Sequence, residues 1–411
     1  MNHKTLIGLA LAALIAIVAA LAIHRSNAPR SENTGESSTY LVPELRDHVN
    51  DVSKVVVTGA EGKTIATLAR GANGWTVVEK NGYAVDTGKL RGFLLRLADA
   101  RKLEEKTSNK DKYAMLGVDD VAAKDAKGMQ VELDGLTQPV KLIVGIANER
   151  GGGTFVRRVG DDASWLVAGS LTVEKGAADW LSKDLVDIAA TRVASVTMMH
   201  SDGKSVVLSK DAGTDANFKL ADLPKGRDPA ADYTLNGPAS SLAGLRFDDV
   251  LPAKDAPADD KSTKAHFVLF DGLVIDITAW EKEGKDRAQF VASLDAVQAD
   301  KGIAAAQAKA KAEFDASAAK PATPKDAKVV DEPIKPLAVS DPVKDRANRL
   351  AAVNKEVGDL NSRFDGWTYV LPTYKYAGLN ETMEDLLKPL DAAKPVAAPS
   401  VAKKPAAPKK S

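Results

Sequence analysis

The chain contains no cysteine. That absence removes disulfides, thiolate nucleophiles, cysteine metal ligands and the acylated cysteine of a lipoprotein, and it leaves the redox compartment open. Net charge is missing too, because 56 Lys plus Arg balance 56 Asp plus Glu in 411 residues. Without a global basic footprint there is no electrostatic case for nucleic acid as a partner. Histidine is sparse. His3, His24, His48, His200 and His266 stand in neither a His-Glu-x-x-His nor a His-x-His spacing, so the sequence points to no metal site. No Gly-x-Ser-x-Gly elbow occurs either.

What the chain has is a repeat. From Val52 it reads VSKVVVTGAEGKTIATLARGANGWTVVEKNGYAVDTGKLRGFLLRLADARKL, and from Val193 a longer stretch gives the same order of signals. Each copy offers an apolar strand, a Gly-Lys-Thr or Gly-Lys-Ser turn, a second strand, a third strand led by Trp75 or Phe218, and a Leu-spaced helix. The second halves correspond as well: Met129 to Val144 and His266 to Trp280 are paired strands around Asp134-Gly135-Leu136 and Asp271-Gly272-Leu273. An outward strand follows each (Gly153 to Val159, Ala288 to Ser293). A Trp-led strand and a short helix then close each unit, Ser164 to Val167 with Ala178 to Leu185 and Gly366 to Leu371 with Thr382 to Leu390. These readings place one α+β unit at 49–190 and another at 191–392, each long enough to bury a core.

The repeat also disposes of motifs that suggest chemistry. Gly62-Lys63-Thr64 and Gly203-Lys204-Ser205 resemble the end of a phosphate loop, but the required glycine five positions earlier is Val57 or Met198. Both tripeptides lie between strands and read as hairpin turns. Gly151-Gly152-Gly153 falls at a turn with no helix after it. The acid pairs Asp119-Asp120, Asp161-Asp162, Asp248-Asp249 and Asp259-Asp260 sit at element ends, where Asp caps helices and makes turns. Carboxylate hydrolysis would need two of them to converge in a pocket. Trp75, Trp165 and Trp367, in strands of apolar alternation, read as core anchors; with Trp180 and Trp280 included, core packing is the reading for most of the five, the alternative for one or two being a groove between the units. No residue is assigned a catalytic, cofactor-binding or metal role, and no cofactor is expected.

At the N-terminus, Thr5 to Ile23 is a run of 19 residues without charge. At 1.5 Å per residue it spans about 30 Å, the thickness of a bilayer's hydrocarbon core. The run exceeds the apolar region of a cleaved signal peptide, which favours an uncleaved anchor within residues 1–25. Lys4 on one side and Arg25 and Arg30 on the other leave orientation undecided by charge; a large domain after a lone N-terminal apolar segment is usually translocated. Residues 26–48 read as a tether. Unit B carries an insertion at about 297–362: an Ala/Lys-rich helical stretch, a Pro-rich middle, and a second helix with apolar spacing through Leu350, Val353, Val357 and Leu360. The tail, 393–411, has five lysines, four prolines and no acid, a composition of extended chain suited to anionic lipid or polymer.

The stretch from Gly74 to Asp120 resembles the bacterial "domain of unknown function 4340" family. The residues that carry the likeness are the Trp75 strand, the turn Tyr83-Ala84-Val85-Asp86 with Ala in place of the usual proline, the Leu-rich helix, and Tyr113-Ala114-Met115-Leu116-Gly117-Val118. The resemblance implies a membrane-anchored, extracytoplasmic protein found with the permease and ATPase of a gliding-type ABC system, and it brings no catalytic residues. The expectation is therefore α+β: a tandem duplication of a mainly antiparallel sheet unit with helices on one face, preceded by one transmembrane helix. The protein is expected to be non-enzymatic and held single-pass in the bacterial cytoplasmic (inner) membrane by residues 5–23, as an auxiliary or scaffold subunit that contacts an ABC permease and ATPase. The alternative is a module that binds cell-envelope polymer or lipid.

Overall fold

The structure, a computed structural model, describes residues 39–149, 151–318 and 335–389. The expected membrane segment 5–23, most of the tether, the Pro-rich stretch 319–334 and the basic tail lie outside these residues. No helix among the described residues is long and apolar enough to cross a membrane. The fold is α+β, with antiparallel sheets and several helices. Two compact units divide the described residues: one holds 39–76 together with those of 87–180, the other holds 77–86 together with those of 181–389.

The first unit's strands are β1 (Lys54–Thr58), β2 (Thr64–Gly71), β3 (Gly74–Val77), β4 (Lys102–Thr107), β5 (Met129–Asp134), β6 (Val140–Ala147), β7 (Thr154–Arg158) and β8 (Ser164–Val167). They lie in the order β3-β2-β1-β5-β6-β7-β8-β4. Period-two alternation sets the register. Val55 and Val57 of β1 face Leu68 and Ala66 on one side and Leu133 and Val131 on the other, and all six are fully buried. A slip of one residue would turn that whole row toward water. Helix α1 (Thr87–Ala98) buries Leu90, Phe93, Leu94 and Leu97, the i, i+3, i+4, i+7 stripe of an amphipathic helix. Its Phe93 meets buried Trp180 edge-on at 5.9 Å.

In the second unit the strands are β9 (Asp184–Val186), β10 (Val193–Met199), β11 (Ser205–Ser209), β12 (Lys219–Leu220), β13 (Leu245–Arg246), β14 (Asp249–Pro252), β15 (Thr263–Leu269), β16 (Leu273–Lys282), β17 (Lys285–Leu294) and β18 (Trp367–Val370). The main sheet runs β12-β11-β10-β15-β16-β17-β18-β14, and β9 pairs with β13 apart from it. The two main sheets thus share one plan. Three strands step outward from the first, the fourth goes to the far edge, and the next four fill the gap. Gly62-Lys63-Thr64 and Gly203-Lys204-Ser205 occupy the matching turns β1–β2 and β10–β11, where Gly62 and Gly203 take positive φ.

The copies differ where their helices were expected. The Leu-spaced helix of the second copy is a five-residue helix, Asp232–Asn236, followed by a 3₁₀ stretch, Pro238–Leu242. Pro238 lacks the N–H a continuing helix needs and its ring opposes the preceding turn. The expected closing helices also shrink, to 3₁₀ turns at Ala177–Trp180 and Glu384–Leu386, and Asp184–Val186 is strand. The insertion contributes two 23-residue helices, α2 (Ala296–Ala318) and α3 (Pro342–Phe364).

Residues 77–86 are written in the first copy but packed in the second unit. Val85 bridges to Leu181, and the Ser182 N–H donates to the Ala84 carbonyl. Tyr83 is buried edge-on against Trp367 at 5.0 Å, Phe247 at 5.4 Å and Tyr369 at 6.2 Å. Burial pushes the hydroxyls of both Tyr83 and Tyr369 above the usual phenol range. Tyr83→Ala would empty the centre of this cluster and is expected to cost about 3–5 kcal/mol, the range for truncating a core aromatic. Hydrogen exchange read by mass spectrometry checks the assignment: protection should fall in β14 and β18, and a loss centred on β1 and β2 would refute it.

Candidate functional site at the root of the helical arm

The β7–β8 connection of the first unit is the short stretch 159–163, whereas the equivalent connection between β17 and β18 spans 295–366 and holds α2 and α3. These helices form an arm. Asp295 opens α2 by accepting from the N–H groups of Val297 and Gln298, both at 2.9 Å, and Asp341 caps α3 through the Lys344 N–H, with Pro342 in the first turn. Gln307 donates to the Pro342 carbonyl and the Asp345 carboxylate, so the middle of α2 meets the start of α3; Gly302, earlier in α2, shares a cavity with Glu356, later in α3, and the helices run antiparallel.

Two devices attach the arm to the sheet. Asn361 of α3 donates to the Ala292 carbonyl and accepts from its N–H, each at 2.8 Å. Its side-chain amide therefore stands in for a neighbouring strand at an open stretch of β17, and Phe364 packs on Phe290 at 5.3 Å. At the other end α2 lies directly on the Asp271-Gly272-Leu273 turn. A side chain at Gly302 would place its first carbon 1.9 Å from the Phe270 carbonyl, and one at Gly272 would meet Ala299 at 2.5 Å, so only glycine allows this approach.

A basic residue faces the Asp-Gly-Leu turn in both units. In the first, Lys54 and Asp134 form a part-exposed pair at 2.8 Å. In the second the residue is Arg192, whose guanidinium donates to Asp271 Oδ2 at 2.7 and 3.2 Å and to both oxygens of Glu356 on α3 at 2.9 and 3.0 Å. A planar fork with five donors can hold two carboxylates at once, which an ammonium point charge does poorly. Hydrogen bonding to Glu356 holds Arg192 above the usual guanidinium range, with burial opposing and Asp271 adding to it. The repeated turn has thereby become a clamp on the arm.

Beside the clamp lies a cavity of about 710 Å³, within the size range of small-molecule pockets. Phe270, Ile303, Ala306, Ala352 and Val353 form its apolar wall, and Arg192, Glu356, Lys309 and Arg349 supply charge. Sequence reading singled out neither Arg192 nor Glu356. The available signal was the basic residue opposite the duplicated Asp-Gly-Leu turn, with an acid on the apolar face of the second inserted helix.

Two of the four acid pairs do converge. Asp119, Asp120, Asp161 and Asp162 surround a cavity of about 660 Å³ in the first unit. Its centre is not a carboxylate but Arg157, a buried guanidinium that donates to the carbonyls of Val118 at 2.8 Å and Asp161 at 3.3 Å and to the Asp120 carboxylate. The Tyr113 ring lies under it at 4.7 Å, and the Tyr113 hydroxyl donates to the Asp162 carbonyl. General acid–base work needs a proton-carrying group free to reach substrate, whereas here Asp120 is engaged by the guanidinium and the accepting carbonyls of Val118 and Asp161 fix the guanidinium in turn. The Tyr113–Val118 motif thus builds a structural latch. Asp249 of the third pair is bound by Lys80 at 2.6 Å, and Asp259 forms a turn with the Lys261 N–H and the Ser262 hydroxyl.

Core packing describes three of the tryptophans: Trp180 and Trp280 are fully buried, and half-buried Trp367 packs on buried Tyr83. Trp75 and Trp165 are half-buried and differ. Arg70 covers Trp75 at 5.2 Å and Lys102 covers Trp165 at 4.8 Å, so these strand faces are shielded by cations rather than by core. His48, His200 and His266 keep separate partners, Asp51, the Glu381 carbonyl and Asp276. Among the described residues no group of His and acidic side chains could hold a metal ion.

Glu381 stands out in the second unit. Burial, helped by the Asp385 charge, pushes its carboxyl up to about 7, and its Oε2 is buried with no hydrogen-bond partner among the described residues. A folded value above the ordinary 4.5 means the fold favours the protonated acid, so this stabilisation is complete below about pH 4.5 and is lost as pH rises to 7. Chemical denaturation across that window should show stability falling with pH, and Glu381→Gln should remove this component; an identical slope in the variant would refute the assignment. For the latch, Arg157→Met is expected to cost about 1–3 kcal/mol by leaving the Val118 carbonyl unpaired. Asp120→Asn, whose side chain is 75% exposed, should cost under about 1 kcal/mol. Thermal midpoints of the two variants check the ranking.

Residues 75–265 match the model of the family described as "Domain of unknown function (DUF4340)". Comparison with curated proteins finds no match, and comparison with solved structures finds none. The matched span takes in the Trp75 strand, the Tyr83 turn and the Tyr113–Val118 latch, and it supports the domain family that those residues resemble.

Proposed function

We propose that the protein is a non-catalytic, extracytoplasmic auxiliary or scaffold subunit of an ABC-type, gliding-type transport complex, held in the bacterial cytoplasmic membrane by residues 5–23. The observation that carries this reading is the arm. On one shared strand plan, the second unit alone replaces a five-residue connection with two long helices, clamped at the root by Arg192 and leaving Val297 and Val343 exposed. Rigidly mounted helices that expose apolar side chains suit contact with another protein. The apolar run at the N-terminus supports the anchor, and the ABC association rests on the family resemblance. A second reading, a module for cell-envelope polymer or lipid, is favoured by the cavity beside the clamp and the basic tail.

Photocrosslinking residues placed at Val297 and Val343 on the arm, and at Leu103 on the first unit, test the first reading in cells. Recovery of a permease and its ATPase from the arm positions is the expected result. Recovery from Leu103 alone would move the contact off the arm, and recovery of envelope polymer or lipid alone would favour the second reading.

A further inference from the structure

We propose that the cavity between α2, α3 and the Phe270–Asp271 turn is a binding site for a fatty acid, with the alkyl chain along the apolar wall and the carboxylate at Lys309 and Arg349. The inference sharpens the second reading above to one site and one ligand class, and it needs neither the anchor nor a transport complex.

Shape comes first. Gly302 and Lys309 on α2, and Arg349 and Glu356 on α3, are each seven residues apart, about 10 Å along a helix. Because the helices run antiparallel, Gly302 and Glu356 mark one end of the trough and Lys309 and Arg349 the other. Between them small residues, Ala306 and Ala352, leave the room that larger side chains would fill, while Ile303 and Val353 form a buried apolar floor. Alkyl chain gains from leaving water in such a trough roughly in proportion to the area covered.

Charge then orients the ligand. At the Gly302–Glu356 end the Asp271 and Glu356 carboxylates are bound by Arg192, and Asp211 is bound by Lys219 at 2.5 Å. That end is already satisfied and offers nothing to an ionic head group. The other end presents two cations on facing helices. Lys309 lies 3.9 Å from Glu313, beyond hydrogen-bond reach, with both side chains about two-thirds exposed, and Arg349 shares Asp345 with Gln307. An acid arriving there gains charge-assisted hydrogen bonds from Lys309 and the unused donors of Arg349. A neutral or cationic head gains none.

Calorimetric titration of the full-length protein with dodecanoate below its micellar concentration tests the site. Saturable one-to-one binding is expected, at least tenfold weaker for Ala352→Trp, which fills the trough, and for Lys309→Glu, which reverses the surface charge and leaves the core untouched. Val297→Trp, outside the trough, should bind as the parent does. Absence of saturable binding, or equal binding by the Lys309→Glu and parent proteins, overturns the proposal. Preference for lysophosphatidylglycerol with no dodecanoate binding overturns the fatty-acid assignment. Phosphatidylglycerol vesicles are run alongside: if they bind while dodecanoate does not, the site fails and the broader lipid-module reading stands.

Discussion

The second unit's architecture depends on one guanidinium. Arg192 binds a carboxylate from the sheet and a carboxylate from the arm in the same plane, at a point where α2 already touches bare backbone at Gly302. Each of the three part-exposed charges is paired and hydrogen-bonded, and removing the guanidinium would set two neighbouring carboxylates against each other. The first unit has a simpler pair at its own Asp-Gly-Leu turn, where Lys54 and Asp134 meet near water and a salt bridge contributes little. In the second, an arginine and one added acid make the joint on which the inserted arm is mounted.

Much of the fold was legible because strands carry their pairing in period-two alternation. Val55, Val57, Val131 and Leu133 could face only one way, and the hairpin turns at Gly62 and Gly203 follow from the same pattern. Helices were less legible where a local breaker outweighed apolar spacing. Leu235 and Leu242 have helical spacing, yet Gly237-Pro238 splits their helix. Trp180 and Leu185 likewise belong to a turn and a strand, because backbone pairing of β9 with β13 is a tertiary event that no local window contains.

The site was less legible than the fold for a related reason. Arg192 and Glu356 are 164 positions apart and neither belongs to a short motif, so only the duplicated turn hinted at the first. The acid pairs were visible, but what neutralises Asp120 is Arg157, an arginine in a strand whose burial cannot be read from alternation alone. Half-buried Trp75 and Trp165 had the pattern of core residues; the cations that cover them, Arg70 and Lys102, lie on neighbouring strand segments.

The placement of residues 77–86 bears on how the protein comes into being. Ribosomal synthesis delivers Tyr83 well before Phe247 and Trp367, by some 8 to 60 seconds at ordinary elongation rates, so the nascent first half carries an aromatic segment whose socket does not yet exist. The chain passes between the units three times, and cutting the gene between the copies would leave the later piece without the ring that fills its own core. The duplication has therefore ceased to be two modules in series. The second unit draws part of its core from the first copy's sequence and cannot be inherited whole without it.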